Sequence, residues 1–368
     1  MSLLNVYSGK KILITGHTGF KGSWLSIWLT HLGAKVVGVS DSEVSKPSNF
    51  AVSFISTVVE DHRLDIRDSD AVKVLVEEIQ PDFVFHLAAQ ALVRPSYENP
   101  VETMTVNVIG TANVLDALRA LNKKVVAVMI TSDKAYDNVE WVWGYRESDR
   151  LGGKDPYSAS KGMAELVIRS YVESFFNDPD SNIRVGITRA GNVIGGGDWA
   201  IDRIVPDCME AWASGKTVDI RSPNATRPWQ HVLEPLSGYL VLAADLAQSS
   251  KNHGEAYNFG PSADQNYPVS KLIDEMTEYW NKIKWNDTSN NKGHVHEAGL
   301  LKLNCDKSLF DLQWHSALQF EETVKMTVEW YKAYYQNQEQ SMYDFTIDQI
   351  ESYTKAAQLK GVSWASDD

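Results

Sequence analysis

A short apolar run, Lys11–Thr15, stops at the segment Gly16-His17-Thr18-Gly19-Phe20-Lys21-Gly22. Residues 23–32 then show the apolar spacing of an amphipathic helix. A buried strand, a G-x-x-G-x-x-G segment and a helix in this order are typical of a dinucleotide-binding unit, whereas the same glycines elsewhere would be a plain turn. The first glycine permits a tight turn, the second lets the backbone approach a pyrophosphate, and the third allows close helix packing. The stretch therefore predicts a parallel-sheet domain that binds a dinucleotide.

Apolar runs alternate with helical patterns through the first half of the chain. Further strands are predicted at residues 35–40, 81–90, 125–130 and 184–188. Another strand is predicted to end near residues 65–66, and a long amphipathic helix is predicted at 101–121. This alternation predicts the α/β class and a Rossmann-like, doubly wound parallel sheet. Ligands bind outside the carboxyl ends of such strands. The loops expected to meet there carry Gly16, Asp41, Ala88 and Ser132.

The pattern changes after Arg189, where glycines, arginines and aromatic residues follow one another in polar loops. Helices are predicted at 236–247, 269–280 and 320–336, a short strand at 256–259, and a frayed end from 362 to 368. We therefore expect a cofactor-binding Rossmann domain over residues 1–190. A smaller, mostly helical substrate-binding lobe would take up residues 191–368, with some of its segments returning to the sheet.

Composition narrows the function classes. The chain has 368 residues and a net charge of −13, which argues against a nucleic-acid-binding surface. We expect a cytoplasmic protein, because neither a signal peptide nor a membrane-spanning stretch is recognisable. Cys208 and Cys305 lack metal-ligand spacing and are expected to be idle thiols. We predict no metal site, since His294 and His296 have no evident third ligand nearby.

Tyr157 and Lys161 lie four residues apart in Pro156-Tyr157-Ser158-Ala159-Ser160-Lys161, so a helix would place both on one face. An ammonium beside a phenol favours the phenolate, which could act as a base. Ser132, after the strand at 125–130, could share a substrate oxygen with the phenol. These groups suit proton removal from an alcohol while its hydride leaves, although Tyr-x-x-x-Lys also occurs by chance on surface helices.

A carboxylate at Asp41, about 20 residues beyond the glycine segment, suits the ribose of NAD and would repel the 2′-phosphate of NADP. Lys46 is close enough to leave NADP open. Asn107, inside the long helix, could cap backbone groups or brace the site. The residues predicted to contact the NAD cofactor are Gly16, His17, Thr18, Gly19, Phe20, Lys21, Gly22, Asp41, Asp65, Ile66, Leu87, Ala88, Ala89, Gln90, Thr105, Tyr157 and Lys161.

Several arginines follow residue 190 in an otherwise acidic chain, which suggests a diphosphate clamp, because guanidinium binds phosphate bidentately. The alternative is that Arg203 and Arg221 are surface residues paired with Asp202, Asp219 or Glu234. For Arg227, in the polar-aromatic cluster at residues 227–232, binding is favoured. The residues predicted to contact substrate are Arg94, Ser132, Arg189, Asn192, Arg203, Arg221, Arg227, His231 and Tyr257.

The motifs G16-x-x-G19-x-x-G22, Leu87-Ala88-Ala89-Gln90, Ser132, Tyr157-x-x-x-Lys161 and Arg189-x-Gly191-Asn192 resemble those of the extended short-chain dehydrogenases/reductases that act on nucleotide sugars. Within that family the segments at 16–24, 131–134, 141–147, 151–157 and 227–232 resemble the CDP-glucose 4,6-dehydratases. The resemblance implies a redox-neutral dehydration of CDP-glucose that uses NAD internally and supplies deoxysugar biosynthesis of the lipopolysaccharide type.

The resemblance also implies roles for the catalytic residues. Tyr157, with Ser132 and Lys161, would deprotonate the sugar 4-hydroxyl while hydride passes to NAD; water would leave across C5–C6, and the hydride would return to C6. Asp133 stands where such dehydratases carry the acid that protonates the departing 6-hydroxyl; a loop-capping carboxylate is the alternative. Lys134 replaces the glutamate of the dTDP-glucose enzymes. It would be either a neutral base for the C5 proton or a charged group that stabilises the enolate.

Two other functions share part of this pattern. A nucleotide-sugar 4-epimerase would have the cofactor loop, Tyr157 and Lys161, but needs no acid–base pair after Ser132. A non-catalytic NAD-binding sensor would have no reason to keep the three groups together. The family commonly pairs through two long helices, so we expect a homodimer or homotetramer formed through residues 101–121 and 157–176.

Overall fold

The protein is described by a computed structural model that covers residues 3–178, 180–281, 283–289, 300–337 and 339–366. Its strands are β1 (Lys11–Thr15), β2 (Lys35–Ser40), β3 (Glu60–Arg63), β4 (Phe83–His86), β5 (Val125–Ile130), β6 (Ile183–Arg189), β7 (Val193–Ile194), β8 (Val218–Ile220), β9 (Thr226–Arg227), β10 (Gln230–His231), β11 (Ala256–Asn258), β12 (Tyr267–Pro268) and β13 (Trp285–Asp287).

The α-helices are α1 (Phe20–His31), α2 (Asn49–Val52), α3 (Ser69–Ile79), α4 (Val93–Glu98), α5 (Pro100–Met104), α6 (Gly110–Arg119), α7 (Pro156–Tyr171), α8 (Ile204–Ala213), α9 (Leu233–Gln248), α10 (Val269–Thr277), α11 (Asp306–Leu312), α12 (Phe320–Gln336) and α13 (Met342–Leu359). A π-helical turn, Thr105–Ile109, joins α5 to α6, and another, Val172–Phe176, extends α7.

Across the described residues, seven parallel strands form the central sheet in the order β11-β6-β5-β4-β1-β2-β3. The chain runs outward from β1 to β3 and then returns to β4 on the other side of β1. The reversal creates a crevice outside the carboxyl ends of β1 and β4, where doubly wound sheets bind ligands. The predicted fold class is confirmed.

The sheet is buried on both faces because its central strands are mostly apolar: every residue of β4 and β5 is buried. One face packs against α3, α6 and α7, and the other against α1 and α9, with α13 packed on α1. Two elements from the second half of the chain belong to this layer structure. β11 pairs with β6, and α9 packs on β5 and β6. The division into domains at residue 190 stays a prediction.

The C-terminal end differs from the prediction. Residues 362–368 were expected to fray, but Val362 and Trp364 are buried, and the indole of Trp364 stacks on Tyr353 with ring centroids 5.7 Å apart. The ring of Trp28, in α1, lies 6.1 Å from the same indole. This packing holds the chain end against the core up to Ser366, the last described residue.

Among the described residues, no helix combines the length and apolarity needed to cross a bilayer. The same residues contain no group of three or more His, Cys, Asp or Glu side chains that could hold a metal ion. His294 and His296 lie outside the described part of the chain. Cys208 and Cys305 are free thiols, the first of them buried.

Candidate active site

A cavity of about 1040 Å³ opens at the carboxyl edge of the sheet. The loops after β1, β2, β4 and β5 form one side of its wall, and residues after 190 form the other. The predicted residues in this wall are Gly16, Thr18, Gly19, Phe20, Lys21, Gly22, Asp41, Asp65, Ile66, Leu87, Ala88, Ala89, Gln90, Arg94, Ser132, Asp133, Lys134, Tyr157, Lys161, Asn192, Arg203, Arg221 and Arg227.

The three glycines of the β1–α1 loop are required for different reasons. Gly16 has φ +77°, and an added Cβ would stand 2.7 Å from the amide nitrogen of Ala88. A Cβ on Gly22 would stand 2.1 Å from the carbonyl oxygen of Gly16, so protein packing alone demands both glycines. At Gly19 the nearest atom to such a Cβ is that same oxygen at 3.4 Å, which is ordinary contact. The space beside Gly19 is therefore open, which fits a ligand that approaches this backbone.

Gly19 also precedes the first residue of α1, and no side chain caps this helix end. Free N–H groups and the helix dipole make such an end suitable for an anion. The loop therefore fits the pyrophosphate of a dinucleotide.

Next to this loop lie the predicted carboxylates Asp41 and Asp65, together with Arg67, which the sequence analysis did not identify. Arg67 donates to Asp65 over 2.6 to 3.0 Å, and these hydrogen bonds lower the pKa of Asp65. Asp41 and Arg67 both line the cavity and interact electrostatically. Lys46 is exposed and is not part of the described cavity wall.

Asn107 links the loop after β4 to α7. Its carboxamide oxygen accepts from the Gln90 amide at 2.8 Å, and its nitrogen donates to the Gln90 carbonyl at 3.0 Å and to Ser160 Oγ at 2.8 Å. The side chain projects from a π-helical turn, a distortion that is frequent at functional sites. Both expectations for Asn107 therefore hold: it caps backbone groups, and it braces the site.

Ser132, Asp133 and Lys134 follow β5 in one tight turn. Ser132 Oγ donates to Asp133 Oδ1 at 2.9 Å and accepts from the Lys134 amide at 3.2 Å, capping the turn. Ser132 and Asp133 are buried, and Lys134 is half-buried. The three side chains predicted to do chemistry therefore reach the same cavity from one short loop, residues 132–134, here called the catalytic loop.

Tyr157 and Lys161 face this loop from the first turns of α7. The helix begins as predicted: Pro156 is its first residue, and the Asp155 carboxylate caps it by accepting from the Ser158 amide at 2.9 Å. Burial raises the pKa of Tyr157 to about 12, against the lowering effect of a hydrogen bond with Ser132.

Burial lowers the pKa of Lys161 to about 8, with the charge of Glu165 acting in the opposite direction. The expectation that the protein's own lysine draws the pKa of Tyr157 towards neutrality is therefore wrong. The desolvation of the phenol outweighs the charges around it.

Lys21 brings a further ammonium group to the same place. Its Nζ donates to the Tyr239 hydroxyl at 3.2 Å. Burial lowers the pKa of Lys21 to about 7, helped by the charges of Arg203 and Lys161 and opposed by Asp133. The glycine segment thus contributes the ionisable Lys21 side chain near Asp133 and Lys161, in addition to backbone N–H groups suited to a pyrophosphate.

The arginines of the cavity wall are paired with carboxylates. Arg203 donates to Asp198 at 2.6 Å, while Asp202 lies 2.9 Å from Arg94 and 3.6 Å from Arg221. Arg221 thus has one of the acidic partners suggested for it, whereas Arg203 pairs with Asp198, which was not among them; both line the cavity, and diphosphate binding by either stays a prediction. The φ of Asp202 is +61°, a left-handed conformation uncommon outside glycine.

Arg227 also lines the cavity, as predicted, with Nη1 donating to the Thr226 carbonyl at 2.9 Å. Asp219 and Glu234, the other suggested arginine partners, interact elsewhere. Asp219 accepts from Asn286 at 3.0 Å, and Glu234 accepts from backbone amides in the core.

Two residues predicted to contact the cofactor lie apart from the described cavity wall. The imidazole of His17 is fully buried and lies 2.9 Å from Asp61 Oδ1 and 3.1 Å from Ser40 Oγ. The hydroxyl of Thr105 donates to the Glu102 carbonyl within its own helix at 2.9 Å. Both assignments are corrected: His17 is turned into the core, and the hydroxyl of Thr105 is bonded to the backbone of its own helix, so neither lies in the described cavity wall.

Three residues predicted to contact substrate are fully buried as well: Arg189, His231 and Tyr257. The ring of His231 packs edge-on against Trp24, and Tyr257 donates to Asp311 at 3.1 Å. The guanidinium of Arg189 is paired with a buried carboxylate and does not reach the cavity. Sequence spacing placed these residues near the site but could not give the direction of their side chains.

The arrangement brings a phenol, an ammonium, a hydroxyl and an acid together beside a dinucleotide cradle. The sequence model of the GDP-mannose 4,6 dehydratase family matches residues 13–327. The chain belongs to this family. The chain is 45% identical to CDP-glucose 4,6-dehydratase of Salmonella typhimurium strain LT2 over 90% of its length and 92% of that protein. It is 28% identical to dTDP-glucose 4,6-dehydratase of Streptomyces antibioticus, over 87% of this chain and 92% of that protein.

Solved structures of other nucleotide-sugar enzymes share the fold of this chain. The UDP-glucose 4-epimerase of Thermotoga maritima with UDP-glucose aligns with a TM-score of 0.74 and 23% identity, covering 88% of this chain and 99% of that one. The dTDP-glucose 4,6-dehydratase of Streptomyces venezuelae with NAD and TYD aligns with a TM-score of 0.72 and 22% identity, covering 88% and 97%. Since the fold serves epimerases and dehydratases alike, the chemistry must be argued from the site.

Proposed function

We propose that this chain is an NAD-dependent nucleotide-sugar 4,6-dehydratase that converts CDP-D-glucose to CDP-4-dehydro-6-deoxy-D-glucose and water. The observation that carries the proposal is the catalytic loop, whose acid and amine face the same cavity as Tyr157 and Lys161. An epimerase needs the tyrosine and the lysine but no acid for a leaving hydroxyl. The 45% identity to a CDP-glucose 4,6-dehydratase supports the same choice and carries the cytidine assignment.

Tyr157 is the base for the sugar 4-hydroxyl, and Ser132 orients the same oxygen. The Ser132 hydrogen bond lowers the pKa of the phenol, and the charge of Arg203 acts in the same direction. Bound NAD+ supplies the hydride acceptor for C4, the hydride donor for C6, and a positive ring charge that would further favour the phenolate. The cofactor would be held by the β1–α1 loop, by Asp41 at its ribose and by residues 87–90.

Asp133 gives its proton to the departing 6-hydroxyl, which leaves as water. Its carboxyl group is buried and accepts from Ser132, so it is fixed in orientation. Lys134, beside it in the loop, acts at C5, either by removing the proton or by stabilising the enolate that forms. The two residues thus divide the elimination across C5–C6 between an acid and an amine.

The diphosphate of the substrate would be gripped by the arginines on the far side of the cavity. Arg203, Arg221 and Arg227 all line the cavity, as does Arg94, which shares the Asp202 carboxylate with Arg221. Guanidinium groups suit this task, because each can offer two parallel N–H donors to phosphate oxygens. The carboxylates that now pair with some of these arginines would have to yield to the substrate.

One incubation tests the function. CDP-glucose deuterated at C4 is mixed with the protein and NAD+, and the product is analysed by mass spectrometry and NMR. Loss of one water with deuterium at C6, without net NADH, supports the dehydratase. Unchanged mass with inverted C4 would make the protein an epimerase and would remove the roles given to Asp133 and Lys134. Absence of any reaction with CDP-, dTDP-, UDP- and GDP-sugars would favour a binding protein.

We also infer a homo-oligomer formed through the two long helical segments. Apolar side chains are exposed on both: Val101 and Ile109 on the first, Leu166 and Phe175 on the second. The two segments also pack against each other, so exposed apolar side chains on both suit a protein interface. Analytical ultracentrifugation at micromolar concentration should give a dimer or tetramer, and Leu166→Glu should shift it towards monomer. A monomeric wild type would contradict the inference.

A further inference from the structure

A fully buried ion pair, Glu165–Arg189, lies between α7 and the end of β6. Both side chains have no solvent exposure. Arg189 Nε donates to Glu165 Oε1 at 2.7 Å, and Arg189 Nη2 donates to Oε2, so the pair is bidentate. A charge pair excluded from water is costly unless its geometry is good and its other hydrogen-bonding groups are satisfied. The remaining partners of this pair therefore indicate what it does.

Arg189 Nη1 donates to the Glu147 carbonyl at 3.2 Å, and the other remaining hydrogen bonds of the pair go to residues at the two ends of the catalytic loop. Thr131, just before the loop, donates its hydroxyl to Glu165 Oε1 at 2.7 Å. Tyr136, just after the loop, has its hydroxyl 2.6 Å from Arg189 Nη1 and its ring 4.6 Å from the guanidinium carbon. The residues that flank Ser132, Asp133 and Lys134 on both sides are thus hydrogen-bonded to one ion pair.

Glu165 also lies on the helix face that carries the catalytic side chains. Tyr157, Lys161 and Glu165 follow one another at intervals of four residues, which aligns them along one side of α7. The pair therefore joins the loop that holds the acid to the helix that holds the base. Both ends of the loop hydrogen-bond to this bidentate pair, and Glu165 belongs to α7. The pair therefore fixes the position of the loop relative to the helix.

We propose that Glu165 and Arg189 are positioning residues that set the catalytic loop in register with Tyr157 and Lys161. This rests on the proposed function, because it assigns the pair to the same reaction. Neither residue lines the described cavity, so the pair acts through the residues it holds. It also replaces the substrate-binding role that the motif Arg189-x-Gly191-Asn192 suggested for Arg189.

The electrostatic surroundings of Lys161 give the proposal a second consequence. Lys161 interacts electrostatically with Glu165 on its own helix, with Lys21 in the first turn of α1 and with His86 at the end of β4. Of these, Glu165 is the one that favours the protonated amine. Loss of the carboxylate should therefore let Lys161 lose its proton at lower pH.

The test compares three variants. Glu165→Gln removes one charge and leaves Arg189 buried without its counterion, so its folding is checked first by circular dichroism. Glu165→Gln/Arg189→Gln removes both charges and keeps polar groups of similar size, which avoids an uncompensated buried charge. Glu234→Gln is the matched control, because Glu234 is also a fully buried carboxylate that accepts from backbone amides, but it holds residues 317 and 318 instead of the catalytic loop.

The first readout does not depend on the reaction. Amide hydrogen exchange, followed by mass spectrometry, should be at least tenfold faster in peptides covering residues 131–136 of the double variant, with the peptides of β1 and β4 unchanged. The Glu234→Gln control should leave residues 131–136 protected. Unchanged protection of these residues in the double variant would overturn the proposal, whatever the substrate of the enzyme proves to be.

The second readout is kinetic and uses the substrate that the wild type turns over. The folded double variant should lose at least tenfold in kcat, with KM within about twofold, because the substrate-binding arginines are untouched. The alkaline limb of its kcat–pH profile should move to lower pH, and the control should not show this shift. A double variant with wild-type kcat and an unshifted profile would make the pair a purely structural feature and contradict the proposal.

Discussion

The carboxylate of Asp133 lies directly against the α carbon of Gly191. A Cβ added to Gly191 would stand 2.0 Å from Asp133 Oδ2 and 2.6 Å from Oδ1, distances that no real Cβ contact shows. Gly191 follows β6, and Asp133 follows the neighbouring strand β5. The glycine in the Arg189-x-Gly191-Asn192 motif is therefore required by the Asp133 carboxylate, which occupies the space a side chain would need.

Gly191→Ala should accordingly displace Asp133 and impair proton delivery to the leaving hydroxyl. We expect kcat to fall by tenfold or more, since a loss of about 1.4 kcal/mol of transition-state stabilisation already produces that factor. Steady-state kinetics with the nucleotide sugar measure the change. Gly260→Ala is the control, because a Cβ there would meet its nearest neighbour, Cys305 Sγ, at an ordinary 3.6 Å. Equal kcat values for the two variants would show that Asp133 does not need its present position.

Local pattern was sufficient to predict most of the sheet. The strands at 35–40 and 125–130 and the helix at 320–336 have the predicted bounds, because each is a continuous apolar or amphipathic run ended by polar residues. The helix α13 and the burial of Trp364 were not predicted. Both depend on contacts with Trp28, more than 300 residues away, and spacing along the chain carries no information about such contacts.

The sequence predicted which segments lie at the cavity more reliably than it predicted the direction of each side chain. The glycine loop, Ser132 and Tyr157 were placed correctly at the cavity because their positions follow from strand ends and helix spacing. Arg189 was misassigned because an arginine motif does not show whether the guanidinium meets a phosphate or a buried carboxylate. One signal was available: Glu165 continues the four-residue spacing of Tyr157 and Lys161.

The Asp202 carboxylate lies between Arg94 and Arg221. A substrate diphosphate would compete with it for these two guanidinium groups. Asp202→Asn removes the competing charge and leaves both arginines in the cavity wall. We expect the Kd for CDP, measured by isothermal titration calorimetry, to fall severalfold, and the KM for the nucleotide sugar to fall with it. The gain should shrink at high salt, because the side chains involved are 31% to 46% exposed.

The control for this change is Asp219→Asn, in the same part of the chain. Asp219 is exposed and accepts from Asn286 rather than from an arginine of the cavity wall, so its substitution should leave the Kd for CDP unchanged. Weaker CDP binding by Asp202→Asn would mean that the aspartate orients the arginines for the substrate and does not compete with it.

Asp41 should determine the preference for NAD over NADP. Its carboxylate would repel a 2′-phosphate, while Arg67, which interacts with it, could bind one. Asp41→Ser should therefore raise the affinity for NADP+ relative to NAD+ by at least tenfold, as measured by quenching of tryptophan fluorescence. The double variant Asp41→Ser/Arg67→Ala should lose most of that gain. An unchanged ratio in the single variant would place the ribose away from Asp41.

The last prediction concerns stability and pH. Glu234 is buried beneath the C-terminal helix, where it accepts from the amides of Ala317 and Leu318 at 2.9 and 2.6 Å and from the Tyr353 hydroxyl at 2.9 Å. Burial outweighs these hydrogen bonds and raises the pKa of Glu234 to about 7. The folded state therefore holds a proton that the unfolded state releases near pH 4.5, and stability from this group is lost as the pH rises to 7.

Glu234→Gln keeps an acceptor for the backbone amides but does not titrate. Measured by urea unfolding between pH 5 and 8, its free energy of unfolding relative to wild type should increase with pH, by about 3 kcal/mol at most. The sign follows from the raised pKa, because only the wild type must lose a bound proton in the folded state. A difference that is constant across this range would show that Glu234 is already ionised in the folded protein at pH 5, with its charge stabilised by the two amides and the tyrosine.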